Sequence, residues 1–196
     1  LPWTHDGEGG HAQSVMRAGL LLRDNLLHRT RIEKAYLKAI AAARHEVVIA
    51  NAYFLPGRRL RRALVMAVQR GVRVRLILQG RYDYFMQYHA VRPVYGTLLA
   101  AGVEIHEYTA SFLHAKVAVV DARHDRPWAT VGSSNLDPLS LLLAREANVV
   151  VADQGFATQL QLRLEEIMAG QCVAVSAQSV AQRSWHQRLR DRVAFG

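Results

Sequence analysis

Cysteine is nearly absent from this chain: Cys172 stands alone among 196 residues. An internal disulfide is thereby excluded, and a lone thiol fits a reducing compartment. Metal signatures are missing as well. Nine histidines are scattered along the chain, without an HExxH run or the Cys/His spacing of a structural zinc site. No metal and no cofactor is expected. No stretch reaches the roughly 20 apolar residues of a membrane-spanning helix. No signal-peptide pattern starts at Leu1, and a first residue other than Met suggests a processed or excised chain. Acidic residues are the scarcer charge. Sixteen Asp and Glu stand against 25 Lys and Arg, a formal net charge of +9. That balance favours an anionic partner, with nucleic acid and anionic lipid equally eligible. The hydrophobic fraction of 51% and charged fraction of 21% are those of a globular protein, and the length suits one domain with a proper core.

Hydrophobic period and turn residues divide the chain. LPWTHDGEGG (1–10) is Gly-rich, and AGLLLRDNLL fits either a helix or a buried strand; residues 1–29 are expected to form a linker or lead-in segment. Thr30 to Glu33 has the form of a capping box opening the helix RIEKAYLKAIAAAR. EVVIANAYF (46–54) reads as a strand, and LPGR turns into the basic helix RRLRRALVMAVQRG, closed by Gly71. VRVRLILQ (72–79) and VEIHEY (103–108) read as strands, separated by a helical segment over 83–101 that Pro93 kinks or breaks. AKVAVVD and WATV form a hairpin around Arg123 to Pro127. EANVVVAD (146–153) is a further strand, and Asp153 caps a last helix, GFATQLQLRLEEIMAG. This alternation predicts an α/β fold, a layered α/β/α sandwich around a mixed sheet, with one domain over 30–170. Residues 171–196 form a basic amphipathic tail in which Trp185, Leu189, Val193 and Phe195 share a helical face. That face suits a membrane surface or packing on the domain. The RRLRR run (58–62) is likewise either a solvated helix end or an anion-binding patch.

The chemistry concentrates in LHAKVAVVDARHDRPWATVGSSN. His114 and Lys116 lie two apart in a strand and so share a face. An imidazole can act as nucleophile or proton shuttle near neutral pH. A lysine with small hydroxyl and amide donors can hold phosphoryl oxygens as charge redistributes. That inventory suits attack on a phosphodiester, with His114, Lys116 and Asp121 as catalytic candidates. Lys116, Ser133 and Asn135 are the phosphate-binding candidates, and Gly132 makes the turn. Asp121 could equally be structural, because aspartate at a strand end commonly bonds locally.

The run from His114 through Lys116 to Asp121, followed by Gly132, Ser133 and Asn135, resembles the HxKxxxxD…GSxN motif (HKD) of the phospholipase D superfamily. Ten residues separate Asp121 from Gly132 where that pattern has six, which places a longer hairpin turn at Arg123–Pro127. NAYFLPG, GVRVRLILQG, VEIHEY and SSNLDPLS followed by EANVVV, over roughly 46–170, are similar to the C-terminal half of bacterial cardiolipin synthases, the B-type branch above all. The resemblance implies a phospholipase D-like catalytic domain in which Glu146 orients the histidine. It implies phosphatidyl transfer between phosphatidylglycerol molecules through a phosphohistidine, on the cytoplasmic side of a bacterial membrane as a peripheral protein. The family carries two HKD motifs per chain, whereas no second His stands two residues before a Lys here. The second half-site is expected either from an N-terminal half or from a homodimer. A homodimeric, metal-independent nuclease acting on nucleic acid is the alternative. Asn51 and Tyr53, at a strand's C-terminal end, could touch substrate or serve the core. Tyr82, Tyr84, Phe85, Met86 and Tyr88 could line an acyl groove or pack under a helix. His106 and His124 read as structural or surface residues.

Overall fold

The computed structural model describes residues 16–23, 30–80, 94–137 and 145–176. Eight strands form one mixed sheet: β1 (Arg17–Arg23), β2 (Glu46–Asn51), β3 (Arg73–Gln79), β4 (Glu104–Tyr108), β5 (Lys116–Val120), β6 (Trp128–Gly132), β7 (Glu146–Ala152) and β8 (Cys172–Val175). Their spatial order is β1-β7-β6-β5-β2-β3-β4-β8. β2, β3 and β4 run parallel, joined by helical crossovers, and the remaining pairs are antiparallel. The described helices are α1 (Arg31–Ala42), α2 (Arg58–Gln69), α3 (94–100) and α4 (Gln154–Gln171).

Each sheet face is buried by its own helices, which is the layered α/β/α arrangement. On one face Ile32, Tyr36 and Ile40 of α1, Leu60 and Leu64 of α2 and Leu98 of α3 pack on Val47, Ile49, Val74, Leu76, Ala118 and Val120. On the other, Ala157, Leu164 and Met168 of α4 cover Val48, Ala50, Ile77, Val119 and Ala129. The central strands are therefore apolar in nearly every position, as doubly covered strands must be. Arg75 is buried in this arrangement. Its guanidinium lies 2.7 Å from Glu46 and 2.8 Å from Glu165, and Glu165 also meets Arg123 at 2.8 Å. Burial pushes the Glu165 carboxyl up, but hydrogen bonds from Gln161, Arg75 and Arg123 outweigh that and hold it at about 2. The cluster ties α4 to β2 and β3. Cys172 is half-buried, and burial raises its thiol to about 11, which leaves it little thiolate character.

Several boundaries differ from those expected. The segment before residue 30 is more than a linker: β1 pairs along its length with β7, turning Leu21 toward the core. It is not a buried strand, because Leu20 and Leu22 on its other face stay exposed. The tail begins with β8, which adds to β4, so the sheet runs past residue 170. Thr30 precedes α1 at φ −110 and ψ 6 and makes no side-chain cap bond, so the expected capping box does not form. Gly71 follows α2 at φ +86, the left-handed position glycine favours after a helix. Asp153 caps α4, accepting from Phe156 N at 2.7 Å. The cluster from Tyr82 to Tyr88, Pro93 and the apolar stripe from Trp185 to Phe195 lie outside the described residues.

Candidate active site

His114, Lys116, Gly132, Ser133 and Glu146 meet at one edge of the sheet, where β2 and β6 end and β5 and β7 begin. His114 is exposed just before β5, and Lys116 is buried at its first residue. Lys116 Nζ lies 3.3 Å from His114 Nε2, 3.5 Å from Nδ1 and 3.3 Å from the His114 carbonyl. Nζ thus stands almost equally close to both ring nitrogens, and the tautomer decides which of them accepts. Burial lowers the Lys116 pKa, and the charge of Glu146 acts against that. The pair therefore combines an exposed imidazole with a lysine amine held close to it.

Glu146, the first residue of β7, accepts a short hydrogen bond from Ser133 Oγ. Ser133 Oγ accepts in turn from Ala147 N at 3.1 Å, and Ser133 N donates to Ala147 O at 3.0 Å. The carboxylate is thus bonded to Ser133, and among the described residues no hydrogen bond joins it to His114. Gly132 is required at the turn. A Cβ there would collide with the Ala147 carbonyl and the Asn148 side chain. Asn135 is half-buried in the following loop, its carbonyl accepting from Ser134 Oγ at 3.4 Å. That loop is tied to β2, with Leu136 bridging Phe54 and Leu55 N donating to Leu136 O at 3.1 Å.

Asp121 does not join this group. It closes β5 at the opposite edge, five residues from Lys116, a separation of about 17 Å along an extended strand. Its backbone is at φ +48, a conformation aspartate tolerates better than most residues. Its carboxylate accepts from the backbone N–H of Arg44, His45 and Glu46 at 2.8, 2.9 and 2.8 Å. The group clamps the turn between α1 and β2. His124 is also more than a surface residue, since its ring stacks on that of His45 at 3.6 Å.

Two buried asparagines support the site. Asn51, directly opposite Lys116 in the β2–β5 register, is fully buried and accepts from Leu136 N at 3.4 Å. Asn148, fully buried opposite Gly132, donates to Thr130 Oγ1 at 3.2 Å. The sequence signal for Asn148 was a lone amide inside EANVVV. Tyr53 is exposed one residue beyond Ala52, whose N–H bonds Ala115 O at 2.9 Å. Among the described residues no three His, Cys, Asp or Glu side chains gather into a metal-binding group, and no helix is long and apolar enough to cross a membrane.

The family model described as "Cardiolipin synthase, PLD-like domain" matches residues 36–168. Cardiolipin synthase B of Escherichia coli K12 is 43% identical over 191 residues, covering 97% of this chain and 45% of that protein. Cardiolipin synthase A of Erwinia tasmaniensis is 32% identical over 188 residues, covering 96% and 37%. The chain thus spans less than half the length of these relatives. Two solved structures share the fold. The phospholipase D family member Nuc of Salmonella typhimurium has a TM-score of 0.66 at 18% identity, covering 82% of this chain and 99% of Nuc. Phosphatidylserine synthase of Haemophilus influenzae has a TM-score of 0.65 at 14% identity, covering 93% of this chain and 48% of that one.

Proposed function

Starting from the fact that the chain belongs to the cardiolipin synthase, PLD-like domain family, we propose that it supplies one half-site of a phosphatidyltransferase. The observation that carries this is the gathering of His114, Lys116, Ser133 and Glu146 at a single sheet edge. In the first step a histidine nitrogen attacks phosphorus of one phosphatidylglycerol. The P–N bond forms, the P–O bond to glycerol breaks, and a second histidine gives its proton to the departing alkoxide. In the second step that histidine takes the proton from the glycerol hydroxyl of another phosphatidylglycerol. The alkoxide attacks phosphorus, the P–N bond breaks, and cardiolipin leaves.

Lys116 neutralises the phosphoryl oxygens in this scheme, with the Asn135 amide as a second donor. Ser133 can serve phosphate only by releasing Glu146, since its hydroxyl proton is committed there. Its first task is to hold that carboxylate near Lys116, where its charge opposes the lowering of the lysine pKa by burial. His114 is one imidazole and the reaction uses two, so the other comes from a second motif, in an N-terminal half or a second copy of this chain. The surface acted on is an anionic membrane, approached peripherally from the cytoplasmic side.

Conversion of radiolabelled phosphatidylglycerol to cardiolipin by an assembly with both motifs tests the reading. His114→Ala should remove turnover, by about a thousandfold or more. Unchanged turnover in that variant would refute it. The single motif and the charge of +9 also favour a second reading, a homodimeric nuclease. Cleavage of DNA without metal, abolished by His114→Ala, would select it over phosphatidyl transfer.

A further inference from the structure

The hairpin after β5 walls a cavity. This cavity, about 890 Å³, lies between the end of α1, the turn into β2, Arg70 after α2 and hairpin residues 124–127. Lys38, Arg44 and Arg126 line it, and all three are exposed. Among the described residues none of the three has a carboxylate partner. Arg70 is anchored beside them by its bond to Ile40 O at 2.9 Å. Two acids share the lining. Asp121 is saturated by three backbone N–H groups, and Asp125 is exposed on the hairpin. The stacked rings of His45 and His124, 17° from parallel, form a flat wall.

What distinguishes this cavity from a generally basic surface is its neighbour. Trp128 and Ala35 line both the basic cavity and a second groove of about 340 Å³. That groove runs between α1 and the β1–β7 pair, with Ala18, Leu21 and Val150 along it. Trp128 is fixed at the junction by an edge-to-face contact with Tyr36, ring centroids 5.5 Å apart. A cup of unpaired cations continuous across an indole with an apolar trench complements an amphiphilic anion. Tryptophan also favours the level where headgroup meets chain.

We propose that this is a second lipid site, on the sheet edge opposite His114, which binds an acidic phospholipid. Its phosphate sits among Lys38, Arg44 and Arg126, and part of one acyl chain passes Trp128 into the groove. The site is independent of the transfer reading, because no residue of the reactive edge takes part.

The test uses the full chain carrying Trp3→Phe and Trp185→Phe, so that Trp128 is the sole indole. Vesicles of phosphatidylglycerol in phosphatidylcholine, with brominated chains, should quench its fluorescence. Reversing Lys38, Arg44 and Arg126 to Glu should raise the lipid concentration needed by about a hundredfold, at roughly tenfold or less per cation. His114→Ala should leave the quenching unchanged, so failure of the transfer reading would not disturb this result. Arg126→Glu alone, on the exposed hairpin, serves if the triple variant loses its helical circular dichroism. Absence of quenching would overturn the proposal, as would equal quenching by phosphatidylcholine alone. Glycerol 3-phosphate shifting the Trp128 emission without any vesicle quenching would overturn it in favour of a site for soluble phosphates. Displacement of the lipid by duplex DNA at equal phosphate concentration would do the same in favour of nucleic acid.

Discussion

Replacing Asp121 separates a clamp from a catalyst. Its carboxylate takes three backbone hydrogen bonds of 2.8 to 2.9 Å from residues 75 to 77 positions away. A hydrogen bond to a charged group contributes about 1.5–3 kcal/mol. Arg44 and His45 are exposed, so water can replace part of the loss, which argues for the lower end at each bond. Alanine also tolerates φ +48 poorly, at about 1 kcal/mol. Together these place Asp121→Ala at about 5–6 kcal/mol of lost stability and Asp121→Asn, which keeps shape and one acceptor, at about 2 kcal/mol. Because a whole domain holds only about 5–15 kcal/mol, the Asn variant gives the cleaner measurement. Its urea midpoint should fall while the folded fraction retains the parental transfer rate in an assembly with both motifs. A variant as stable as the parent but slowed a hundredfold would refute the clamp and return Asp121 to the chemistry.

Three further outcomes are expected. Gly132→Ala should cost about 2 kcal/mol or more, because the new methyl meets a carbonyl and a buried amide that cannot both retreat; thermal unfolding measures it, and an unchanged Tm would contradict the packing described. Glu165 is held at about 2 in the folded protein, so its contribution is complete above the ordinary carboxylate range and fades as pH falls from there toward 2. After discount for a side chain 28% exposed, the Glu165→Gln variant should lose on the order of 2 kcal/mol near neutral pH and converge with the parent in acid; parallel pH profiles would exclude the linkage. Thr30→Ala should change stability by less than about 0.5 kcal/mol, since the hydroxyl caps nothing, and a larger loss by denaturant titration would restore the capping box.

The sheet's middle was legible because its strands are short apolar runs bounded by turns, and the spacing of His114 and Lys116 follows from the two-residue strand period. Even the separation of Asp121 was implicit. An odd offset of five from Lys116 reverses the face, and five residues of extended chain exceed any direct contact. The edges were not legible. β1 and β8 exist through pairing with β7 and β4, partners distant in sequence. α4 also runs straight into β8 with no turn residue to mark the change. The union of Ser133 with Glu146 depends on the β6–β7 register, which no local pattern encodes. Asn148 reads as an ordinary polar residue, and Asn51 as one that touches substrate or serves the core, until burial and hydrogen bonds show that each spans two segments.

β5 works as a strut with a reactive group on one end and a fastening on the other. Adding or deleting one residue between Lys116 and Asp121 would flip one end to the wrong face, so the interior length is rigidly set. Beyond the fastening that constraint vanishes. The connection from Ala122 to Pro127 can lengthen without moving His114, because Asp121 has already anchored the strand to the α1–β2 turn. Extra length there is therefore mechanically silent at the His114 end of the strand, and a protein engineer could splice a reporter or affinity tag into that connection with the placement of His114 and Lys116 left intact.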